Sequence, residues 1–371
     1  MERARARRRR LALGALAGLA ACAFALGAVL GEGRVPKISV AGTLPTRQLA
    51  GERIVAGLSG TDVSPPLRAA IHSGSLAGVV LFAANFPSRD VGRRLIARLQ
   101  AIRRPPALRE PLLIMVDQEG GEVKRVDGAP STSARQMGAR GAAFSREQGR
   151  LTARNLRDLG VNVDLAPVLD VARPGGVIAE TERGFGATAP RVTATAVPFA
   201  EALQHGGVAA TAKHFPGLGA APENTDFAVQ RIGLPKTRLR AVDEAPYPAF
   251  VAAGGEIVML STAIYPALSP DPAAFSRSIA SGELRDRLGF EGVSITDALE
   301  SVAVRAYGSP AKAGVAAVRA GTDLLLFTDL GSAEAAARAL AAKLRAGALR
   351  RGEFEASAQR VLDLRGELAA P

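Results

Sequence analysis

Short apolar runs alternate with longer amphipathic segments along most of the chain after residue 48. The short runs are rich in Val, Ile and Leu and fit buried strands, whereas the longer ones repeat apolar residues at helical spacing. The short runs predict strands over residues 54–57, 78–82, 112–116, 161–166, 208–213, 257–261, 293–296 and 323–327. The longer segments predict helices over residues 145–159, 191–205, 279–288, 310–320, 332–345 and 351–368.

This alternation of strands and helices predicts βαβ units and a parallel sheet. Eight strands within about 290 residues fit an α/β fold of the (β/α)8 TIM-barrel type, closed by the helix at 351–368. An open, doubly wound sheet is the structural alternative. It is disfavoured because no glycine-rich dinucleotide fingerprint follows the first strand.

The first 30 residues differ from the rest of the chain. Six arginines precede an apolar stretch over residues 11–30, which is the order found in export signals. The stretch is also long enough to span a bilayer, and the arginines would keep its start in the cytoplasm. Because Cys22 closes a Leu-Ala-Ala-Cys sequence typical of lipoproteins, a cleaved signal, an uncleaved anchor and a lipidated cysteine all stay open. Residues 31–47 predict a linker, and residues 48–371 a single catalytic domain.

Composition excludes several classes of function. The net charge of +12 comes partly from the N-terminal arginines, and no basic block is interleaved with aromatics, so we expect no nucleic-acid partner. One cysteine excludes an intramolecular disulfide, and three scattered histidines are too few for a histidine-based metal site. Aromatic residues make up only 4% of the chain and Trp is absent, so a ligand site would depend on hydrogen bonds and not on stacking against Trp.

Polar side chains follow four of the predicted strands. Their sequences are Asp-Gln-Glu-Gly-Gly at 117–121, Asp-Leu-Ala-Pro-Val-Leu-Asp at 164–170, Lys-His-Phe-Pro-Gly at 213–217 and Thr-Asp at 296–297. A single Asp after a strand is often only a helix cap. In a βα barrel, however, four such strand ends converge on one pocket. Cations and carboxylates gathered there suit the binding of a polyhydroxylated substrate and attack on it.

These motifs, together with Arg-Gly-Phe-Gly at 183–186 and Gly-Phe-Glu-Gly-Val at 289–293, resemble glycoside hydrolase family 3 over residues 48–330. The resemblance is to its single-domain β-N-acetylhexosaminidase branch. It implies a retaining exo-glycosidase that removes terminal β-linked N-acetylglucosamine from cell-wall glycans without a metal or organic cofactor. It also implies a covalent glycosyl intermediate on Asp297. The residues implied to bind the first sugar are Asp117, Arg125, Arg183, Lys213 and His214. We further expect an exported monomer that contacts the membrane only through its N-terminal segment.

The loop after Lys213 departs from the family pattern. The family carries Asp-Ser-His there, and its histidine is the general acid/base, whereas this chain has Asn224-Thr225-Asp226 in an ungapped alignment. Most retaining glycosidases use a carboxylic acid for this step, so Asp226 is the first candidate and Glu223 the second. A catalytically silent protein that binds wall sugars and a β-glucosidase specificity remain as alternative functions.

Overall fold

Eight parallel strands form the centre of the computed structural model, which describes residues 39–369. Each is buried on both faces, as expected for a parallel sheet covered by helices. The strands are β1 Ile54–Gly57, β2 Gly78–Val80, β3 Leu113–Val116, β4 Val163–Asp164, β5 Ala209–Phe215, β6 Ile257–Leu260, β7 Val293–Thr296 and β8 Leu325–Phe327. All eight strands predicted from the sequence are therefore present.

The sheet curls round until its last strand meets its first. β8 pairs in parallel with β1 through Ile54 and Leu325. On its other side β8 lies along β7, where the Thr296 N–H donates to the Leu324 carbonyl at 3.0 Å. The structure is thus the predicted barrel and not an open, doubly wound sheet.

Helices follow most of the strands on the outside. Their bounds are α1 Val40–Thr43, α2 Thr46–Gly51, α3 Pro65–His72, α4 Arg89–Gln100, α5 Ala134–Arg140, α6 Ala142–Arg157, α7 Val177–Glu180, α8 Ala189–His205, α9 Lys236–Arg238, α10 Tyr247–Ala252, α11 Pro310–Ala320, α12 Leu330–Arg345 and α13 Arg351–Glu367. A π-helix, Ser278–Arg287, occupies the position of the helix predicted over 279–288. The remaining predicted helices correspond to α6, α8, α11, α12 and α13, with ends shifted by a few residues.

The last helix closes the barrel, as the sequence predicts, and it lies at the N-terminal end of the strands. Val361 and Leu364 of α13 belong to the same apolar cluster as the side chains inside the barrel. Arg365, fully buried, donates from Nε to the Pro111 carbonyl at 3.0 Å and forms an ion pair with the buried Glu52. Since a buried charge without a partner is costly, this pair ties the end of the chain to the start of the barrel.

The segment before β1 is helical from Val40 onward, so the linker expected over 31–47 does not extend that far. Ala41 and Leu44 are buried, and the Ala41 N–H donates to Gln359 Oε1 of α13 at 3.1 Å. Burial of these two apolar side chains accounts for the order of a stretch that Gly, Pro and Thr marked as a linker. The signal or anchor expected over residues 1–30 lies outside the described residues. None of the helices within residues 39–369 combines the length and apolar character needed to cross a bilayer.

Candidate active site

The residues predicted to bind substrate come together at the C-terminal end of the barrel. Asp117 follows β3, and Glu119 and Arg125 lie on a small hairpin (Gln118–Gly120 with Val123–Lys124) immediately after it. Lys213 and His214 lie on β5, where the pairing with β6 shifts register between Ala212 and Phe215. The peptide bond between Lys213 and His214 is cis, and both side chains contact carboxylates of the site.

Lys213 is the central cation of this group. Its Nζ lies 2.8 Å from Asp117 Oδ1 and 2.7 Å from Glu119 Oε1, and the side chain is almost wholly buried. Burial disfavours the charged amine, but the two carboxylates outweigh burial and hold the pKa of Lys213 above its usual value. Lys213 therefore stays protonated at neutral pH.

Glu119 links Lys213 to Arg183. The Arg183 guanidinium donates from Nε and Nη2 to the two carboxylate oxygens of Glu119, at 2.8 and 2.7 Å. Burial alone would raise the pKa of Glu119, but Arg183 and Lys213 overcome it and hold that pKa far below its usual range. Glu119 was not among the predicted site residues. Its position two residues after Asp117, in a run with two acids, is the signal that could have identified it.

Arg125 is placed by the fold of the hairpin. Gln118 Oε1 accepts hydrogen bonds from the Arg125 and Val126 N–H groups at 3.0 and 3.1 Å, which fixes the returning strand. Arg125 Nη2 then lies 3.5 Å from Asp117 Oδ2. Burial would raise the pKa of Asp117, but Lys213 and Arg125 together lower it below its usual value. Asp117 therefore remains ionised between two cations.

His214 is oriented by a buried carboxylate that sequence reasoning also missed. Its Nδ1 lies 2.8 Å from Asp170 Oδ2, while Asp170 Oδ1 accepts the N–H groups of His214 and Leu218 at 3.1 and 2.7 Å. Asp170 is fully buried. Its place after the fourth predicted strand was recognised in the sequence, but nothing there indicated its partner. The contact leaves the Nε2 edge of the imidazole as the edge available to a ligand.

Asp164, at the end of β4, is a fully buried carboxyl group. Oδ1 accepts the Gln118 N–H at 3.0 Å, whereas Oδ2 is buried with no hydrogen-bond partner. Burial raises the pKa of Asp164 to about 8. The neutral carboxyl leaves Lys213 to its two ionised partners, Asp117 and Glu119.

Asp297 follows β7 and is half-buried. Its N–H donates to the Leu260 carbonyl at 3.1 Å, and its Oδ1 accepts the Ala298 N–H at 2.8 Å. The local contacts thus hold one oxygen of Asp297 in place and leave the other, Oδ2, available.

Asp226 lies on the loop after β5, and backbone hydrogen bonds hold this loop beside the segment that follows Asp297. The Val302 N–H donates to the Asp226 carbonyl and the Ala303 N–H to that of Thr225, both at 3.2 Å. Although the Asp226 side chain is exposed, desolvation by the surrounding protein atoms and the negative charge of Asp297 raise its pKa above the usual value. The two carboxyl groups therefore interact.

Glu223, the second acid/base candidate, is exposed on the same loop and has no hydrogen bond or ion pair with residues 39–369. Within that part of the chain no group of three or more His, Cys, Asp or Glu side chains is arranged to hold a metal ion. Two carboxyl groups, Asp226 and Asp297, lie at this end of the barrel beside buried cations that can orient hydroxyl and amide groups.

Comparison with known proteins agrees with this arrangement. The family model described as the glycosyl hydrolase family 3 N terminal domain matches residues 52–364. A secreted glycosyl hydrolase of Arthroderma benhamiae, itself uncharacterised, is 37% identical over 86% of this chain and 93% of its own length. A β-hexosaminidase of Xanthomonas oryzae pv. oryzae is 35% identical over 74% of this chain and 82% of its own.

Solved structures extend the likeness to the fold. A family 3 β-N-acetylglucosaminidase from Paenibacillus superimposes with a TM-score of 0.84 and 33% identity over 88% of this chain. This chain spans only 63% of that protein's length. A β-N-acetylhexosaminidase from Beutenbergia cavernae, with a TM-score of 0.80 and 32% identity, matches over 87% of this chain and 99% of its own. The extent of these matches, with the family model covering nearly the whole barrel, shows that the chain belongs to glycoside hydrolase family 3.

Proposed function

We propose that the protein is a retaining exo-glycosidase that hydrolyses terminal β-linked N-acetylglucosamine. The observation that carries the proposal is the interaction of two carboxyl groups, Asp297 and Asp226, at the end of the barrel where the buried ion pairs of Lys213 lie. Retaining glycosidases need one ionised and one protonated carboxyl group. The raised pKa of Asp226 beside Asp297 supplies that difference. The relatives named β-hexosaminidase and β-N-acetylglucosaminidase support the choice of sugar.

The reaction takes place in two steps. Asp297 attacks the anomeric carbon as Asp226 gives its proton to the glycosidic oxygen, so that the bond to the leaving group breaks and a glycosyl ester forms. Water then attacks the same carbon while Asp226 accepts its proton. The ester bond to Asp297 breaks, the sugar leaves with its configuration retained, and both carboxyl groups return to their starting states.

The buried charged residues would hold the sugar in the first subsite. Asp117 presents a carboxylate, Arg125 and Arg183 present guanidinium groups, Lys213 an amine and His214 its free imidazole edge. Charged hydrogen bonds of this kind orient a substrate more strongly than neutral ones. The mutual ion pairs among these groups hold them in position before the substrate arrives.

The proposal predicts a clear preference between two chromogenic substrates. We expect nitrophenol release from the N-acetyl-β-glucosaminide to exceed release from the β-glucoside by roughly a hundredfold or more, because a site that bonds the acetamido group loses those bonds with glucose. The ratio of kcat/KM values measures the preference. A ratio below one would favour the β-glucosidase alternative, and a protein inert on both that still binds N-acetylglucosamine would favour the silent sugar-binding alternative.

We also propose that the chain acts outside the cytoplasm, on glycans of the cell envelope, for which the Arg-rich and apolar sequence of residues 1–30 is the support. A reporter enzyme fused after residue 40 should then be active only in the exported state. Activity confined to the cytoplasm would contradict export. Cys22→Ala separates the modes of attachment, because it releases the protein only if a lipid on that cysteine is the anchor.

A further inference from the structure

The loop that carries Asp226 also carries an uncovered aromatic ring. Among the large hydrophobic side chains within residues 39–369, only Val40, Phe227 and Val229 are markedly exposed. Phe227 is 71% exposed and Val229 is 50% exposed, so two of the three lie within three residues of Asp226. The Phe227 ring makes no ring–ring or cation–π contact with the described residues. These contacts within residues 39–369 therefore do not explain why an aromatic residue stands at position 227.

The position of this ring relative to Asp226 is set by a hydrogen-bonded turn. The Asp226 N–H donates to Asn224 Oδ1 at 3.0 Å, and the Phe227 N–H donates to the Asn224 carbonyl at 3.1 Å. Asp226 itself is bonded to Val302, beyond Asp297, as described above. Downstream the loop is fixed again where Ile232 donates to the Ile264 carbonyl at 2.8 Å. Phe227 therefore lies on an exposed stretch of the loop, and backbone hydrogen bonds fix this stretch to the rest of the protein on both sides.

The proposed reaction indicates on which side of the scissile bond Phe227 lies. The acid/base must reach the glycosidic oxygen, which joins the first sugar to the leaving group. In the proposed reaction the buried charged residues around Lys213 would hold the first sugar, and the exposed neighbours of Asp226 would then lie on the side of the leaving group. The exposed ring of Phe227, next to Asp226, would then contact the leaving group and not the first sugar.

We propose that Phe227 is the binding platform for a saccharide leaving group, so that the enzyme is selective for oligosaccharides in which a second pyranose follows the terminal sugar. This inference rests on the proposed function. A β-linked pyranose exposes axial C–H groups on its faces. An aromatic ring packs against such a face, while the hydroxyl groups around the edge of the sugar stay in water. Contact made beyond the reacting bond also helps to orient it, so the gain is expressed in kcat/KM.

The test compares two substrates with poor leaving groups of similar chemistry, the β-linked disaccharide of N-acetylglucosamine and its methyl β-glycoside. Phe227→Ala should lower kcat/KM for the disaccharide by about three- to tenfold, with a change of no more than about twofold for the methyl glycoside. Phe227→Tyr should restore the disaccharide rate because it keeps the ring. Val229→Ala, an exposed apolar change on the same loop, is the matched control and should alter neither substrate.

Equal losses on both substrates, or none on either, would overturn the role of Phe227 while leaving the proposed function intact. If the wild type hydrolyses neither substrate, the proposed function fails, and the platform is tested by calorimetric binding. Phe227→Ala should then weaken binding of the disaccharide by a similar factor and leave binding of free N-acetylglucosamine unchanged. A disaccharide affinity that does not depend on the ring would reject the inference in that case also.

Discussion

Asp297→Asn is expected to lower kcat by roughly 10⁴-fold or more while leaving the fold intact. The amide has nearly the shape of the carboxylate and keeps an oxygen that can accept the Ala298 N–H, which Asp297 Oδ1 accepts at 2.8 Å. What it lacks is the negative charge that attacks the anomeric carbon. Steady-state hydrolysis of the nitrophenyl N-acetyl-β-glucosaminide measures the loss, and the unfolding temperature reports on the fold.

The matched control is Asp62→Asn, the same change at an exposed residue whose carboxylate pairs with Arg98. It should keep wild-type activity. A 2-fluoro glycoside that accumulates the ester intermediate, followed by peptide mass analysis, should place the label on Asp297. Normal turnover in Asp297→Asn, or a label on another residue, would remove Asp297 from its assigned role.

Asp226→Ala is expected to slow substrates with poor leaving groups by about 10²- to 10⁴-fold and activated aryl glycosides far less, because only poor leaving groups need a proton. Azide should restore much of the rate with an activated substrate by attacking the glycosyl ester in place of water, giving a β-glycosyl azide. Rates for a series of aryl glycosides with leaving groups of increasing pKa measure the effect.

The pH profile gives an independent readout of the same residue. Because desolvation and the charge of Asp297 raise the pKa of Asp226, its protonated form persists to higher pH than for an ordinary aspartic acid. In the wild type kcat/KM should therefore fall as the pH rises through that pKa, and Asp226→Ala should lack this basic limb. Glu223→Ala is the control on the same loop. If Glu223→Ala shows the leaving-group dependence and Asp226→Ala does not, the proton donor is Glu223.

Local sequence patterns predicted the barrel because its strands are short and apolar and its strand ends carry the chemistry. Asp117, Arg125, Arg183, Lys213 and His214 do meet at one end, as expected for parallel strands. The carboxylates that position them, Glu119 and Asp170, were visible in the same motifs. Glu119 pairs with Arg183, 64 positions away, and Asp170 pairs with His214, 44 positions away. A single sequence shows no sign of such pairing.

Other differences also arise from contacts that are distant in sequence. The glycines at 120 and 121 adopt positive φ values, 97° and 59°, in the turn of the hairpin. A Cβ atom on Gly120 would lie 2.2 Å from the Thr132 carbonyl oxygen, so glycine is needed there for packing within the protein. Likewise, residues 40–43, predicted as part of a linker, are helical because Ala41 is buried and its N–H donates to Gln359, 318 positions later in the chain.

The closure of the barrel has a consequence for how the protein is made. Strand β1 pairs on one side with β8, and Glu52 meets Arg365 at a separation of 313 positions. Since the ribosome delivers the N-terminal part first, β1 emerges long before these partners exist. A nascent chain therefore presents a bare strand edge until β8 has been made, and a carboxylate without its counter-ion until Arg365 has been made. Bare edges pair readily with other chains, so we expect aggregation to compete with folding mainly during this interval.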